Sequence, residues 1–391
     1  MANTINMEKV EIANGFFLLV VIVIQVYQKF LDNIFSDSVN SHISKIVQIG
    51  SVSKIATNFI QGFMLHVKLN AQNYSAKQIA RMFVLTYIQQ QIPLSLTQLL
   101  LSSLKDYQHS CSHESIHSAE FYQYPIMFGS GNSCGSVIHQ VTSISFIILY
   151  ITFINVIVKY VNALQNNTPF ILLLKKLYDV NAARTFYTVN FIIWFSVQFI
   201  IVTKLSIKMR THDLSVLLNV TIDGGSMYAG LLCAHEYFGI FPMRSIQSTP
   251  LYMYIIKRIP KNHYLFYMII LIISLFVINM FLCTSNSYFI FKHFIFRIIF
   301  YFIVSLIVAL LLCSEKHITL KISHQLHFYG FKCLLISEIV TFLLKKQIGD
   351  IKIGPQNGAV VALVGTGTVG VVLWAMKSVN FVFGDLIRQF E

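Results

Sequence analysis

Charge is the scarcest ingredient of this chain: Asp, Glu, Lys and Arg make up only 12% of its 391 residues, roughly half the share in an ordinary soluble domain. With 55% hydrophobic residues and a mean hydropathy of +0.65, the chain has too little polar surface to cover itself in water. That excludes a soluble protein built of two or three domains, which the length alone would allow. Runs of like charge are also missing. Despite a net charge of +13, Lys and Arg stand singly or in pairs beside apolar runs, as membrane-flanking residues do, and nucleic acid is no expected partner. Six cysteines, at 111, 134, 233, 283, 313 and 333, form no disulfide framework, since four of them lie in or beside apolar segments. Only Cys111 and Cys134 share a polar loop, and a bridge there needs an oxidising compartment. No small-residue cleavage site follows the apolar run 15–31, where the chain reads Asp32-Asn33-Ile34-Phe35-Ser36-Asp37, so the first span is expected to be retained. No transit peptide or C-terminal address signal is recognisable, which leaves the target membrane open.

What the chain has in abundance is apolar runs of bilayer-crossing length. The clearest are 136–158, 186–203, 264–284, 288–313 and 357–376. Weaker ones are 15–31, 80–104, 160–177, 214–235 and 328–344, which carry polar residues such as Gln89, Gln90, Gln91, Asp223 and Glu338 and therefore need a protein-facing or cavity-facing side. The expected fold is an all-α membrane protein of about ten transmembrane helices, one polytopic domain over 1–391 with approximate halves 1–210 and 211–391. Extramembrane segments are expected at 32–79, with an amphipathic portion at 52–70, and at 105–134. From Asp106 to Val158 there is no Lys or Arg, which places the 105–134 loop on the translocated side. Arg184 before one span, and Lys204, Lys208 and Arg210 after it, point the other way.

A comparison of the chain with itself adds an arrangement. Leu173-Leu174-Lys175-Lys176 ends a weak span, is followed by Asp179, and leads through a short linker to 186–203. Leu343-Leu344-Lys345-Lys346 does the same, followed by Gly349-Asp350 and 357–376, at an offset of 170 residues. Five spans fit between the copies, and an odd number inverts the second half. Two inverted five-helix repeats related by an in-plane pseudo-twofold are expected, with a cavity near the bilayer midplane between them.

The stretch Lys159-Tyr160-Val161-Asn162-Ala163-Leu164 through Thr168-Pro169-Phe170 and Lys175-Lys176-Leu177-Tyr178-Asp179 resembles the fourth helix and following turn of the drug/metabolite transporter superfamily. Phe342 through Asp350, then Gln356-Asn357-Gly358-Ala359, resembles its ninth helix, turn and tenth helix. The last span, with Gly365, Gly367 and Gly370, is similar to the small-residue final helix of the nucleotide-sugar and triose-phosphate translocator branch. The resemblance covers about 140–205 and 330–378. It implies a ten-helix antiporter that exchanges a phosphorylated solute or nucleotide sugar for a related phosphate or nucleotide. The membrane it implies is internal, Golgi or endoplasmic reticulum ahead of plastid or mitochondrion.

An anion crossing a bilayer needs cations and hydrogen-bond donors inside a protein-lined space, so Lys and Arg within or next to spans are the candidate substrate-binding residues. Lys204 and Lys208 form an i, i+4 pair after 186–203. Lys292, His293 and Arg297 occupy the first turns of 288–313, with snorkelling to the interface as the plainer account. Lys332 opens the 328–344 span and Glu338 lies six residues on, read as sharing its face. Asp223-Gly224-Gly225 with His235-Glu236 is the most enzyme-like set, yet no His-box, nucleophile elbow or repeated acidic motif surrounds it. Catalysis is not expected, and neither is a cofactor. His109, Cys111, His113 and His117 match no closed zinc module, so no metal is expected. Of the Asn-X-Ser/Thr sequons, Asn73 alone suits glycosylation, because Asn166 and Asn219 lie in or beside spans. Gly365-x-Gly367-x-x-Gly370 lacks the βαβ context of a dinucleotide site. Gly358, Ala362, Thr366 and Gly370 instead form one small face, suited to a second copy or another helix. A solute antiporter leads these readings. A non-catalytic subunit of a large organellar complex and a membrane-embedded enzyme are the alternatives.

Overall fold

The computed structural model describes residues 2–31, 37–70, 76–103, 144–154, 156–157, 168–177, 187–197, 199–200, 212–240, 251–284, 290–314, 320–330, 332–348 and 365–378. Among them every regular element is helical and no strand occurs. In chain order the helices are α1 (Ala2–Leu31), α2 (Asp37–Asn70), α3 (Ala76–Ser103), α4 (Ile144–Ile154), α5 (Pro169–Leu177) and α6 (Tyr187–Val197). They continue as α7 (His212–Ile240), α8 (Leu251–Arg258), α9 (Tyr264–Thr284), α10 (Ile290–Cys313), α11 (Lys321–Tyr329), α12 (Lys332–Ile348) and α13 (365–378). Among the described residues two stretches are long and apolar enough to cross a membrane: Met7–Val26 within α1, and Lys261–Ile278, which adds the 3-10 turn Lys261–His263 to α9. The pair α11 and α12 makes a third if it counts as one bent span.

Apolar helices must satisfy their own polar groups, and the hydroxyls do so locally. Thr57, Thr97, Thr152, Ser226, Ser274, Ser305 and Thr341 each donate to the carbonyl four residues back, which spares these hydroxyl protons an apolar environment. Between α11 and α12 the chain turns by 100° at Gly330, whose φ of 59° lies in the left-handed region that glycine enters without strain. Its N–H closes the helix end on Leu326 O at 2.8 Å.

Side chains distribute inversely to those of a water-soluble bundle. Lys9, Asn14, Ser53, Asn58, Asp223 and Glu338 are buried. Apolar residues line the outside, including the stripe Val84, Ile88, Ile92, Leu96 and Leu100 on α3 and Phe266, Ile269, Ile273 and Val277 on α9. The core has two parts. Leu18, Ile22, Ile147, Met227, Leu334 and Val372 join α1, α4, α7, α12 and α13. Phe17, Phe59, Phe63, Ala234, Tyr301 and Val304 join α1, α2, α7 and α10.

Helices of the two halves thus interleave. The segment 32–79, expected outside the membrane, holds the 34-residue α2, whose most extensive packing is against α7. Residues 104–143, including the 105–134 loop with its His/Cys cluster, lie outside the described residues, as do Asn73, Asn166, Gly358 and Ala362.

The α2–α7 contact bears on the expected repeat. A Cβ at Gly62 would lie 2.1 Å from Met227 O, and one at Gly230 would lie 1.9 Å from Phe59 O. Both pairs of positions, 62 with 230 and 59 with 227, differ by 168 residues, so the contact is self-complementary in the manner of a local twofold. Contacts from Asn58–Asp223 through Gly62–Met227 to His66–His235 advance along both helices together, so α2 and α7 run parallel. The expected in-plane axis would make equivalent helices antiparallel. α2 and α7, being parallel, are not such an inverted pair.

A second close approach joins α1 to α11. A Cβ at Gly15 would lie 1.7 Å from the Ser323 carbonyl oxygen, and backbone cannot yield as a side-chain tip can. Gly15→Ala should therefore lower stability by about 1–3 kcal/mol. Thermal unfolding in detergent checks this, and an unchanged midpoint would show that the two helices do not touch at this point.

A buried charged cluster as candidate functional site

Asp223 sits twelve residues into α7 and is fully buried. Two residues of α2, one turn apart, reach its Oδ1: Lys54 Nζ at 3.1 Å, and Asn58 Nδ2, which donates at 2.7 Å. Their i, i+4 spacing puts both on the face that meets α7. From α10, Arg297 and Tyr301 present a second i, i+4 pair, linked by a side-chain hydrogen bond. The single Ser226 proton goes to Ile222 O at 2.7 Å. The Tyr301 hydroxyl, 3.2 Å from Ser226 Oγ, must therefore donate to it, and can accept from Arg297. Phe59 stacks on the Tyr301 ring at 6.3 Å and Phe191 meets it edge-on at 6.0 Å, so the phenol is fixed on both sides.

Two cations and one carboxylate leave a formal excess of +1 among these groups. Hydrogen bonding is also incomplete, since Arg297 Nη1, Asn58 Oδ1 and Ser53 Oγ are sealed from solvent without a partner. An unmade buried hydrogen bond costs about 1–3 kcal/mol, and more at a charged group. The cluster is thus under-satisfied in the way that an added oxyanion would relieve.

A second group lies on the same helix pair. His66 and His235 stand with ring centroids 5.6 Å apart, and Tyr187 from α6 places its hydroxyl 3.3 Å from His66 Nδ1. Both histidines are twelve residues beyond the charged cluster, 54 to 66 on α2 and 223 to 235 on α7, which is about 18 Å of helix. Asp223 therefore does not converge with His235 and Glu236, and the most enzyme-like set in the sequence is not assembled. Among the described residues no group of three or more His, Cys, Asp or Glu is placed to hold a metal ion.

No family model, curated protein or solved structure matches the chain. Function is therefore argued from this cluster's own chemistry. Of the candidates named from sequence, Arg297 joins the cluster, and Lys292 lies in the first turn of the same helix. Lys204 and Lys208 lie outside the described residues. Lys332 is the first residue of α12 and half-buried, while Glu338 is buried, with 2% exposed. Six residues set these two about 120° apart around the helix, so they do not share a face. Lys54, Asn58, Ser226 and Tyr301 were not singled out by sequence. The available signal was the polar set Ser53, Lys54, Thr57 and Asn58 within an otherwise apolar stretch.

Proposed function

We propose that the chain is a membrane-embedded transporter of a small anionic solute, working as an antiporter. The observation that carries this is the buried ion pair of Lys54 with Asp223 beside a second buried cation, Arg297, which is bonded to Tyr301 and whose Nη1 is still unpaired. A net cationic, hydrogen-bonding site inside an apolar-coated helix bundle is what an anion needs in order to leave water within a bilayer. The apolar stripes of α3 and α9 suit lipid contact, and two helices have membrane-crossing length and apolarity. On this reading further helices also span, to about ten in all, and the resemblance makes phosphorylated solutes and nucleotide sugars in a Golgi or endoplasmic-reticulum membrane the first to try. The exposed Thr366 and Gly370, with open space beyond Gly367 and Gly370, offer a face for a second copy or another helix.

Liposomes containing the purified chain and preloaded with candidate counter-solutes should take up labelled anion faster than empty ones. Arg297→Gln should cut that rate at least about tenfold, the effect of losing a charged hydrogen bond, while the variant still elutes as folded protein. If no preloaded anion accelerates uptake, or if Arg297→Gln transports normally, the proposal fails. A chain that is inert in vesicles and leaves its native membrane only together with other chains would instead be a subunit of a larger complex.

A further inference from the structure

The unpaired atoms of the cluster define the shape of what completes it. Asp223, as a carboxylate, only accepts hydrogen bonds, so the Asn58 group 2.7 Å from it must be Nδ2. The amide orientation is thereby fixed by chemistry, and the atom left over, Oδ1, is an acceptor in a fully buried side chain. Across the cluster the atom left over on Arg297 is a donor, Nη1. A ligand that reaches both atoms offers an anionic acceptor to the guanidinium and a hydroxyl or N–H donor to Asn58. Halides lack the donor, and neutral polyols leave the excess charge unanswered. The excess is +1, from Lys54 and Arg297 against Asp223. A singly charged ligand cancels it, whereas a phosphate dianion would leave a net negative charge in a medium that penalises uncompensated charge.

The 168-residue correspondence separates this cluster from the packing that surrounds it. Gly62 and Gly230 match across the two helices, but the position matching Lys54 is Ile222 and the one matching Asp223 is Ile55. The charges stand where the two helices differ, and the shared helix contact does not require them.

We infer that this site binds a singly charged oxyanion carrying an adjacent hydrogen-bond donor, in class a hydroxycarboxylate. The inference rests on the anion-transport reading, and for the same site it replaces the phosphorylated solutes that the resemblance suggests with the class that the cluster's own charge favours.

Binding is measured on the purified full-length chain in detergent, with glycerate, propionate and glycerol 3-phosphate as probes. Glycerate is expected to bind at least about tenfold more tightly than propionate, the worth of one good hydrogen bond, and glycerol 3-phosphate no more tightly than glycerate. In Asn58→Ala, checked for folding by size-exclusion chromatography, the preference for glycerate over propionate should shrink to about threefold or less. Equal binding of glycerate and propionate overturns the inference, as does tighter binding of glycerol 3-phosphate. Absence of binding by all three also overturns it, because the unpaired atoms then hold water alone. The probe series on the unaltered chain decides the matter even if the variant does not fold. Detergent binding needs no flux, so glycerate binding without vesicle exchange sinks the transport reading and spares this one. Exchange that ignores the hydroxyl sinks only the ligand class.

Discussion

Gly230→Ala should lower stability by about 3 kcal/mol or more, at the upper end of what overpacking costs. Its new methyl carbon would lie 1.9 Å from Phe59 O and 2.8 Å from Phe63 N, and both are backbone atoms of a helix that cannot rotate away as a side chain would. Relief requires α2 and α7 to separate, and they are the most extensively packed pair in the bundle. Separation would draw Phe59 and Phe63 out of their packing and lengthen the Lys54–Asp223 contact. Gly62→Ala, 2.1 Å from Met227 O, should act in the same direction. Because both glycines serve one crossing, the double variant should cost less than the two single costs combined. Gly370→Ala is the control, for nothing lies within 4 Å of its added Cβ, and it should change stability by less than about 0.5 kcal/mol. The three unfolding midpoints in detergent check the ordering. A Gly230→Ala protein as stable as Gly370→Ala would mean that the helices do not cross with backbones in contact.

The helical class and most helix positions were legible in the sequence, because apolar runs of membrane length leave few alternatives. The role of 52–70 was not. The amphipathic segment 52–70 is expected outside the membrane, yet its Lys54, Asn58 and His66 point at Asp223, Tyr187 and His235. Polarity within an apolar helix marks a buried partner as readily as it marks water, and sequence distance hid the partner, since Asn58 and Asp223 stand 165 residues apart. Asp223 drew notice in the sequence for a similar reason, and the fold separates it from the residues grouped with it there. His235 and Glu236 are close in sequence and carry suitable chemistry, while a continuous helix holds them about 18 Å away. Tyr301 gave no signal at all, because a tyrosine in the run Phe300-Tyr301-Phe302 reads as one more apolar ring until the bundle brings Ser226 to its hydroxyl. The dilysine offset of 170 came close to the 168-residue shift of the glycine contact.

Asp223→Ala should be the most damaging substitution in the charged cluster, at about 3–5 kcal/mol, because it leaves the Lys54 ammonium buried without its carboxylate and removes the negative charge that offsets the Arg297 guanidinium. Lys54 has only 13% of its side chain exposed, so water cannot replace the lost partner without opening the α2–α7 contact. Asn58 loses its acceptor as well, and its Nδ2 would join the groups already unpaired there. Asp223→Asn should be milder than Asp223→Ala, since a side-chain oxygen remains for Asn58 and Lys54 while the charge is gone. The decisive comparison is the pair Asp223→Leu with Lys54→Met: removing both members of a buried ion pair is often near neutral where removing one is not, so the double variant should recover much of what Asp223→Leu alone loses. Recovery would show that the cost lies in an orphaned charge. If the double variant is no more stable than Asp223→Leu alone, Lys54 has found another partner and the carboxylate acts mainly on Arg297. Because the double variant keeps the excess of +1 on Arg297, a Lys54→Met, Asp223→Leu chain that regains stability but no longer exchanges anion would show that the Lys54 ammonium itself, and not the excess charge alone, serves the passing anion.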